Sequence, residues 1–258
     1  VSTRIMWRIF GIAGFLFTVL LVTGFYLGVK GVSYSGPVAS PGNAIPEAGE
    51  IGSKNKILIV SLGDSLTRGT GDETGKGYVG NLQDELRKSS KRQVFDYNLG
   101  IYGYRAENLL SDLQHRQDIR ASVKEAEIIT LSIGANDLFH ANEEEVDPAV
   151  ISKRIPTAMG AFQKIVHDIT AINPKATLLY MGLYNPFGDL PNAKQSNAVV
   201  QAWNNQAAHV LNQYHAAVMV PTADIFQLDV KKYLSSDHYH PNAEGYRRIG
   251  LRMAQALE

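Results

Sequence analysis

Apolar and polar positions follow three regimes along the chain. From Ile9 to Val29 apolar residues run on without a single charge. From Gly31 to Asn55 the periodicity disappears and Gly, Pro and Ser crowd the sequence. Beyond Lys56, short apolar runs alternate with longer amphipathic stretches. The runs Ile57–Leu62, Val94–Leu99, Glu127–Ile133, Thr177–Leu183 and Ala217–Val220 have strand length, and most are unbroken, as strands buried on both faces require. Helical spacing fills the intervals at Gly77–Ser89, Ala106–Val123, Pro148–Ile172 and Ala193–Tyr214. A last helix, Asn242–Leu257, sets Tyr246, Ile249, Met253 and Leu257 on one face. Alternating strands and helices predict an α/β domain with a parallel sheet covered on both sides. In such sheets functional groups gather at the carboxyl ends of the strands.

The first regime has the length of a membrane helix. As a helix, Ile9–Val29 extends roughly 30 Å, enough to cross a bilayer core. Arg4 and Arg8 precede it and only Lys30 follows closely, which places the N-terminus in the cytoplasm and the bulk of the chain outside. A cleaved signal segment is the competing reading; Pro37-Val38-Ala39 is a fair cleavage site but lies well beyond the apolar run. Residues 1–30 are thus expected to form a transmembrane anchor, 31–55 a linker and 56–258 the working domain.

Composition removes several classes. The 258 residues are 45% hydrophobic and 19% charged, so the chain is neither disordered nor low-complexity. Lys and Arg number 25, balanced by 25 Asp and Glu. Without Arg4, Arg8 and Lys30 the remainder is slightly acidic, and no basic stripe suits nucleic acid. The absence of cysteine excludes disulfides, a Cys-ligated zinc and a thiol nucleophile.

The strand ends carry the chemistry. The first apolar run leads straight into Gly63-Asp64-Ser65-Leu66, where a serine on a tight turn can expose its hydroxyl as a nucleophile. On that tetrapeptide alone, a simple helix-capping turn fits as well. The second run ends in Asn98-Leu99-Gly100-Ile101-Tyr102-Gly103 and the third in Gly134-Ala135-Asn136-Asp137. These supply backbone N–H groups open to a ligand and a neutral amide donor. Asp237-His238-Tyr239-His240-Pro241-Asn242 precedes the final helix, and an Asp three residues before a His can fix the ring tautomer. A His-x-His metal site through His238 and His240 is the alternative; no ligand beyond Asp237 clusters with them, so no metal is expected.

These blocks, in this order, resemble the SGNH branch of the GDSL esterase/lipase family from Ile57 to the end of the chain. The resemblance implies a three-layer α/β/α sandwich of flavodoxin-like type with a central five-stranded parallel sheet. It implies Ser65 as nucleophile, His240 as general base and Asp237 as the group orienting it. The implied oxyanion hole combines the N–H groups of Ser65 and Gly103 with the Asn136 amide. Gly103 is chosen over Gly100, and His240 over His238, on the family spacing. No cofactor is implied. The expected activity is ester hydrolysis through an acyl-enzyme, on lipids, lysophospholipids or acetylated glycans outside the cytoplasm. Acyl transfer to an alcohol and a non-catalytic binding module of the same fold are the alternatives.

The remaining features read more plainly. Gly69–Gly77 glances at a phosphate loop, but Thr70 replaces its first glycine and Lys76 is followed by Gly, so nucleotide binding is rejected. Glu143-Glu144-Glu145 is expected to be a solvated loop, with a lid as the alternative. Asn185-Pro186-Phe187 follows the fourth run, making Phe187 a candidate for the acyl pocket. His115, His140, His167, His209 and His215 receive no role, and Trp203 and Tyr214 are expected to pack in the core.

Overall fold

Five parallel strands form a single sheet. They are β1 (Lys56–Gly63), β2 (Gln93–Asn98), β3 (Ile128–Ser132), β4 (Thr177–Met181) and β5 (Ala217–Val220), in spatial order β2-β1-β3-β4-β5. The computed structural model describes residues 17–24, 55–139, 147–227 and 229–258. Every pairing is parallel: Ile59 lies opposite Ile128 across β1–β3, and Ile128 opposite Thr177 across β3–β4. This is the flavodoxin-like α/β arrangement. The winding reverses around β1, because β2 and β3 flank it, which opens a crevice at the carboxyl ends of β1 and β3.

Alternation along each strand divides the core into two layers. Val60, Leu62, Ile129, Leu131, Leu178 and Tyr180 face one cluster, and Ile57, Ile59, Ile128, Leu179 and Met181 face the other. Both faces of the central strands are buried, which is why their sequences read as continuous apolar runs.

Ten helical segments surround the sheet among the described residues of the domain. Short turns α1 (Ser65–Arg68) and α5 (Ala135–Leu138) follow β1 and β3 directly. The long helices are α2 (Gly77–Ser89), α3 (Ala106–His115), α4 (Gln117–Glu125), α6 (Pro148–Ile172) and α7 (Ala193–Leu211). Near the C-terminus come α8 (Ala223–Gln227), α9 (Val230–Tyr233) and α10 (Ala243–Gln255). Helix α10 packs on α2 over one sheet face, and α6 packs on α3 and α7 over the other.

One helix departs from the sequence expectation. The stretch read as continuous over Ala106–Val123 is two helices, broken at Arg116, whose φ of −99° and ψ of 110° are extended. Leu109 and Leu113 bury one face before the break, Ile119 and Val123 another after it. The Arg120 guanidinium then donates to the freed Leu113 carbonyl at 2.9 Å.

The chain divides into two units, residues 1–38 and 39–258. In the first, residues 17–24 are helical, with Phe17, Leu20 and Val22 exposed. No helix among the described residues is long and apolar enough to cross a membrane. Most of the Ile9–Val29 run, the linker up to Lys54 and Glu143–Glu145 lie outside the described residues.

Candidate active site

Ser65 sits on the first residue of α1, directly off the end of β1. The Asp64 side chain accepts the Leu66 N–H at 3.0 Å, and the Asp64 N–H donates to the Ser132 carbonyl at 3.1 Å. Strand β1 therefore ends in a turn pinned to β3, and the serine hydroxyl faces the crevice between them. Ser65 is nearly buried, and its Oγ lies 2.8 Å from His240 Nε2.

The segment before α10 delivers His240. Leu234 and Pro241 form an antiparallel bridge, the Ser235 N–H donates to the His240 carbonyl at 2.8 Å, and Asn242 caps α10 by accepting from Gly245. Between these anchors the backbone turns through His238 at φ +55°, a left-handed conformation that His adopts more readily than most residues. The turn folds the Asp237 carboxylate back onto its own chain. Asp237 Oδ2 meets His240 Nδ1 at 2.6 Å, while Oδ1 accepts from the N–H groups of Tyr239 and His240 and from Ser235 Oγ. Burial acts to raise the Asp237 carboxyl, but these donors, with the His240 ring foremost, outweigh it and hold the group far below the usual carboxylate range. An ionised Asp237 claims the Nδ1 proton, which leaves Nε2 as an acceptor for the serine hydroxyl.

The donor side of the site is built by the loop after β2. Its Ile101 N–H donates to the Gly63 carbonyl at 3.0 Å, and its Tyr104 carbonyl accepts from Asn136 Nδ2 at 2.9 Å. Gly103 is thus held between the ends of β1 and β3. Of the two glycines in this loop, Gly100 gives its N–H to the Asn98 side chain at 3.0 Å. A Cβ there would meet the Arg68 backbone nitrogen at 2.5 Å. Gly103 has φ +76°, open space around it and, among the described residues, no partner for its N–H. Asn136 spends one amide hydrogen on Tyr104, which fixes the amide plane, and among the described residues the second has no partner.

An apolar cavity opens beside these groups, with ≈ 250 Å³ of empty space, its mouth included. Leu66, Ala135 and Tyr239 line it, the chain neighbours of Ser65, Asn136 and His240; Phe139, Tyr184 and Pro186 extend the wall. Phe187 stands behind that wall rather than in it. Its ring packs against Phe139 and Tyr239 at centroid distances of 5.1 and 6.1 Å.

Behind the turn lies a chain of hydroxyls that no local sequence motif marks. Ser132 Oγ donates to Asp64 at 2.7 Å, Thr67 Oγ1 meets Ser132 Oγ at 2.7 Å and Tyr78 at 2.6 Å, and Tyr78 reaches Thr130 at 3.2 Å. Asp64 is fully buried at its end, and burial pushes its carboxyl up to about 7 against the bonds from Ser132 and Leu66. Asp137 is raised to about 6, again mainly by burial, and accepts the Ala106 N–H that starts α3. The Asp in Gly-Asp-Ser-Leu was legible as a cap; its link to β3 depends on strand order.

The other features fall away from the site. Asp72 accepts from Thr74 and Gly77, so Gly69–Gly77 closes on itself as a turn. His115 bonds the Ser111 carbonyl on an exposed helix face. Trp203 is buried and donates to Tyr180, and Tyr214 packs against the core. Among the described residues, no three His, Asp or Glu side chains gather as metal ligands.

Known proteins match this chain in sequence and fold. Residues 61–248 match the model of the GDSL-like lipase/acylhydrolase family. The uncharacterized Bacillus subtilis protein YpmR is 33% identical over 221 residues, 82% of this chain and 86% of its own. The lipase Lip_vut3 from a goat rumen metagenome superposes with a TM-score of 0.70 at 24% identity, covering 78% of this chain and 97% of its own. An acetylxylan esterase from Geobacillus stearothermophilus superposes at 0.57 with 18% identity, over 80% and 94%. The match over most of the strand-and-helix domain assigns the chain: it belongs to the GDSL-like lipase/acylhydrolase family, serine hydrolases of ester bonds.

Proposed function

We propose that Ser65 attacks a carboxylic ester while His240 Nε2 takes its proton. The observation that carries this reading is the continuous relay of 2.8 Å from Ser65 Oγ to His240 and 2.6 Å from His240 to Asp237. Negative charge developing on the carbonyl oxygen is met by the N–H groups of Ser65 and Gly103 and the free amide hydrogen of Asn136. His240 then returns its proton to the leaving alcohol. Water, activated by the same ring, hydrolyses the acyl-enzyme. Asp237 keeps the tautomer and balances the imidazolium.

We also propose that the apolar run Ile9–Val29 anchors the domain at a membrane with its catalytic part outside the cytoplasm. The uncharged length of the run and the leading Arg4 and Arg8 support this. Because the chain has no cysteine, Lys91→Cys creates a unique thiol on an exposed position. Labelling of that thiol by a membrane-impermeant maleimide on intact cells is expected; labelling only after lysis refutes the topology.

Hydrolysis of p-nitrophenyl esters by the full chain and by Ser65→Ala tests the chemistry. Turnover by the wild type and none by the variant is expected. Equal turnover by both removes Ser65 as nucleophile.

A further inference from the structure

The cavity beside Ser65 is small and lined by apolar and aromatic side chains, which bears on the acyl group the serine can hold. The ≈ 250 Å³ of space counts its open mouth, and the part a water-sized molecule can occupy has room for about one such molecule, far less than the roughly 300–1,000 Å³ of pockets that enclose drug-sized ligands. Leu66 and Ala135, adjacent in sequence to Ser65 and Asn136, are among the cavity's lining residues, so an acyl chain on the serine has this recess next to it. The leaving alcohol must instead reach solvent, on the side where Tyr102 stands exposed about the His240 ring at 6.0 Å.

The wall is braced against widening. Tyr184 donates its hydroxyl to the Tyr239 carbonyl at 2.7 Å and stacks on Phe226 at 4.0 Å. Phe139 is buried, and Phe187 meets it edge-on at 64° while also packing against Tyr239. The turn carrying Phe187 is pinned in turn. Asn185 accepts the Phe187 N–H at 3.0 Å and donates to Ser196 and Asn197 on α7. Close-packed aromatic walls yield little to an oversized chain.

We infer that the protein selects short acyl groups, of acetyl to butyryl size, and that Phe187, wedged between Phe139 and Tyr239, sets the limit as a specificity-determining residue. This rests on Ser65 being the nucleophile. The leaving group must be kept out of the measurement, so the probes are methane-, butane- and octanesulfonyl fluoride. Ser65 Oγ attacks sulfur, the S–F bond breaks, fluoride leaves and the proton passes to His240.

Rates of Ser65 modification are read by mass spectrometry on the full chain, each relative to the reagent's own hydrolysis. The wild type is expected to react with the methane reagent at least about 10-fold faster than with the octane one, since one excess methylene alone can cost that much. Phe187→Ala should raise the octane-to-methane ratio by about 10-fold, and Ala135→Leu, which adds bulk to the cavity lining, should lower the butane-to-methane ratio. Ratios within one variant cancel any general loss of reactivity, and the two variants shift selectivity in opposite directions. Equal labelling across the reagents in the wild type, or unchanged ratios in both folded variants, overturns the short-acyl inference and leaves the serine mechanism standing. No modification of Ser65 by any reagent overturns both.

Discussion

Asp237 and His240 are joined at two points, through the ring at 2.6 Å and through the His240 backbone N–H at 2.9 Å. One carboxylate thereby fixes both where the imidazole stands and which nitrogen carries its proton. Asp237→Asn keeps an oxygen for the backbone donors but presents N–H where Nδ1 needs an acceptor. A fall in kcat of about 100- to 10,000-fold is expected, with KM nearly unchanged. A proportionate rise in KM would assign Asp237 to substrate binding instead.

Asn136 holds Tyr104 with one amide hydrogen, and on the proposed mechanism the other meets the developing oxyanion. Asn136→Ala should lower kcat by about 100- to 1,000-fold, the usual cost of one oxyanion donor. Steady-state kinetics beside a thermal melt separates this from unfolding; near-normal turnover in a folded variant removes Asn136 from the site.

The two glycines of the β2 loop should respond in different ways. Gly100→Ala forces a methyl onto the Arg68 and Thr67 backbone and is expected to cost about 1–3 kcal/mol in denaturant unfolding. Gly103→Ala meets no neighbour and should cost about 1 kcal/mol through its positive φ alone. If Gly103→Ala proves the more destabilising, the loop is built otherwise.

Buried Asp64 couples stability to pH. Its carboxyl is raised from 3.8 to about 7 in the folded protein, so folding favours the protonated form. The associated stability is complete below about 3.8 and is lost as pH rises through about 7. Asp64→Asn retains an acceptor for Ser132 and Leu66 yet cannot ionise. Between pH 4 and 8 the variant should lose about 4 kcal/mol less than the wild type. Parallel profiles for the two proteins in denaturant titrations would show that Asp64 does not titrate in this range.

Much of this architecture is written locally, and the exceptions have physical reasons. The strand runs around Ile57–Leu62 and Glu127–Ile133 are apolar on both faces, so their burial is visible without knowing their neighbours. The break at Arg116 went unread although the sequence carries its signal: Leu113 and Ile119 are six positions apart, out of phase with a helical repeat. Ser65, Asn136 and His240 were legible because each follows or precedes a recognisable element. The Asp64–Ser132–Thr67–Tyr78 chain was not, because it exists only once β3 lies beside β1. Phe187 was legible as a loop aromatic near the pocket, but its place behind Phe139 and Tyr239 depends on how α5 and the segment before α10 converge.

The distance along the chain between Ser65 and His240 has a consequence for biosynthesis. The two lie 175 positions apart, and His240 reaches the serine only when the segment before α10 has closed and α10 has docked on α2. A ribosome completes all five strands before it adds His240. On the proposed mechanism the nascent chain lacks the partner of Ser65 until His240 is added, and a product truncated ahead of His240 is expected to be hydrolytically silent.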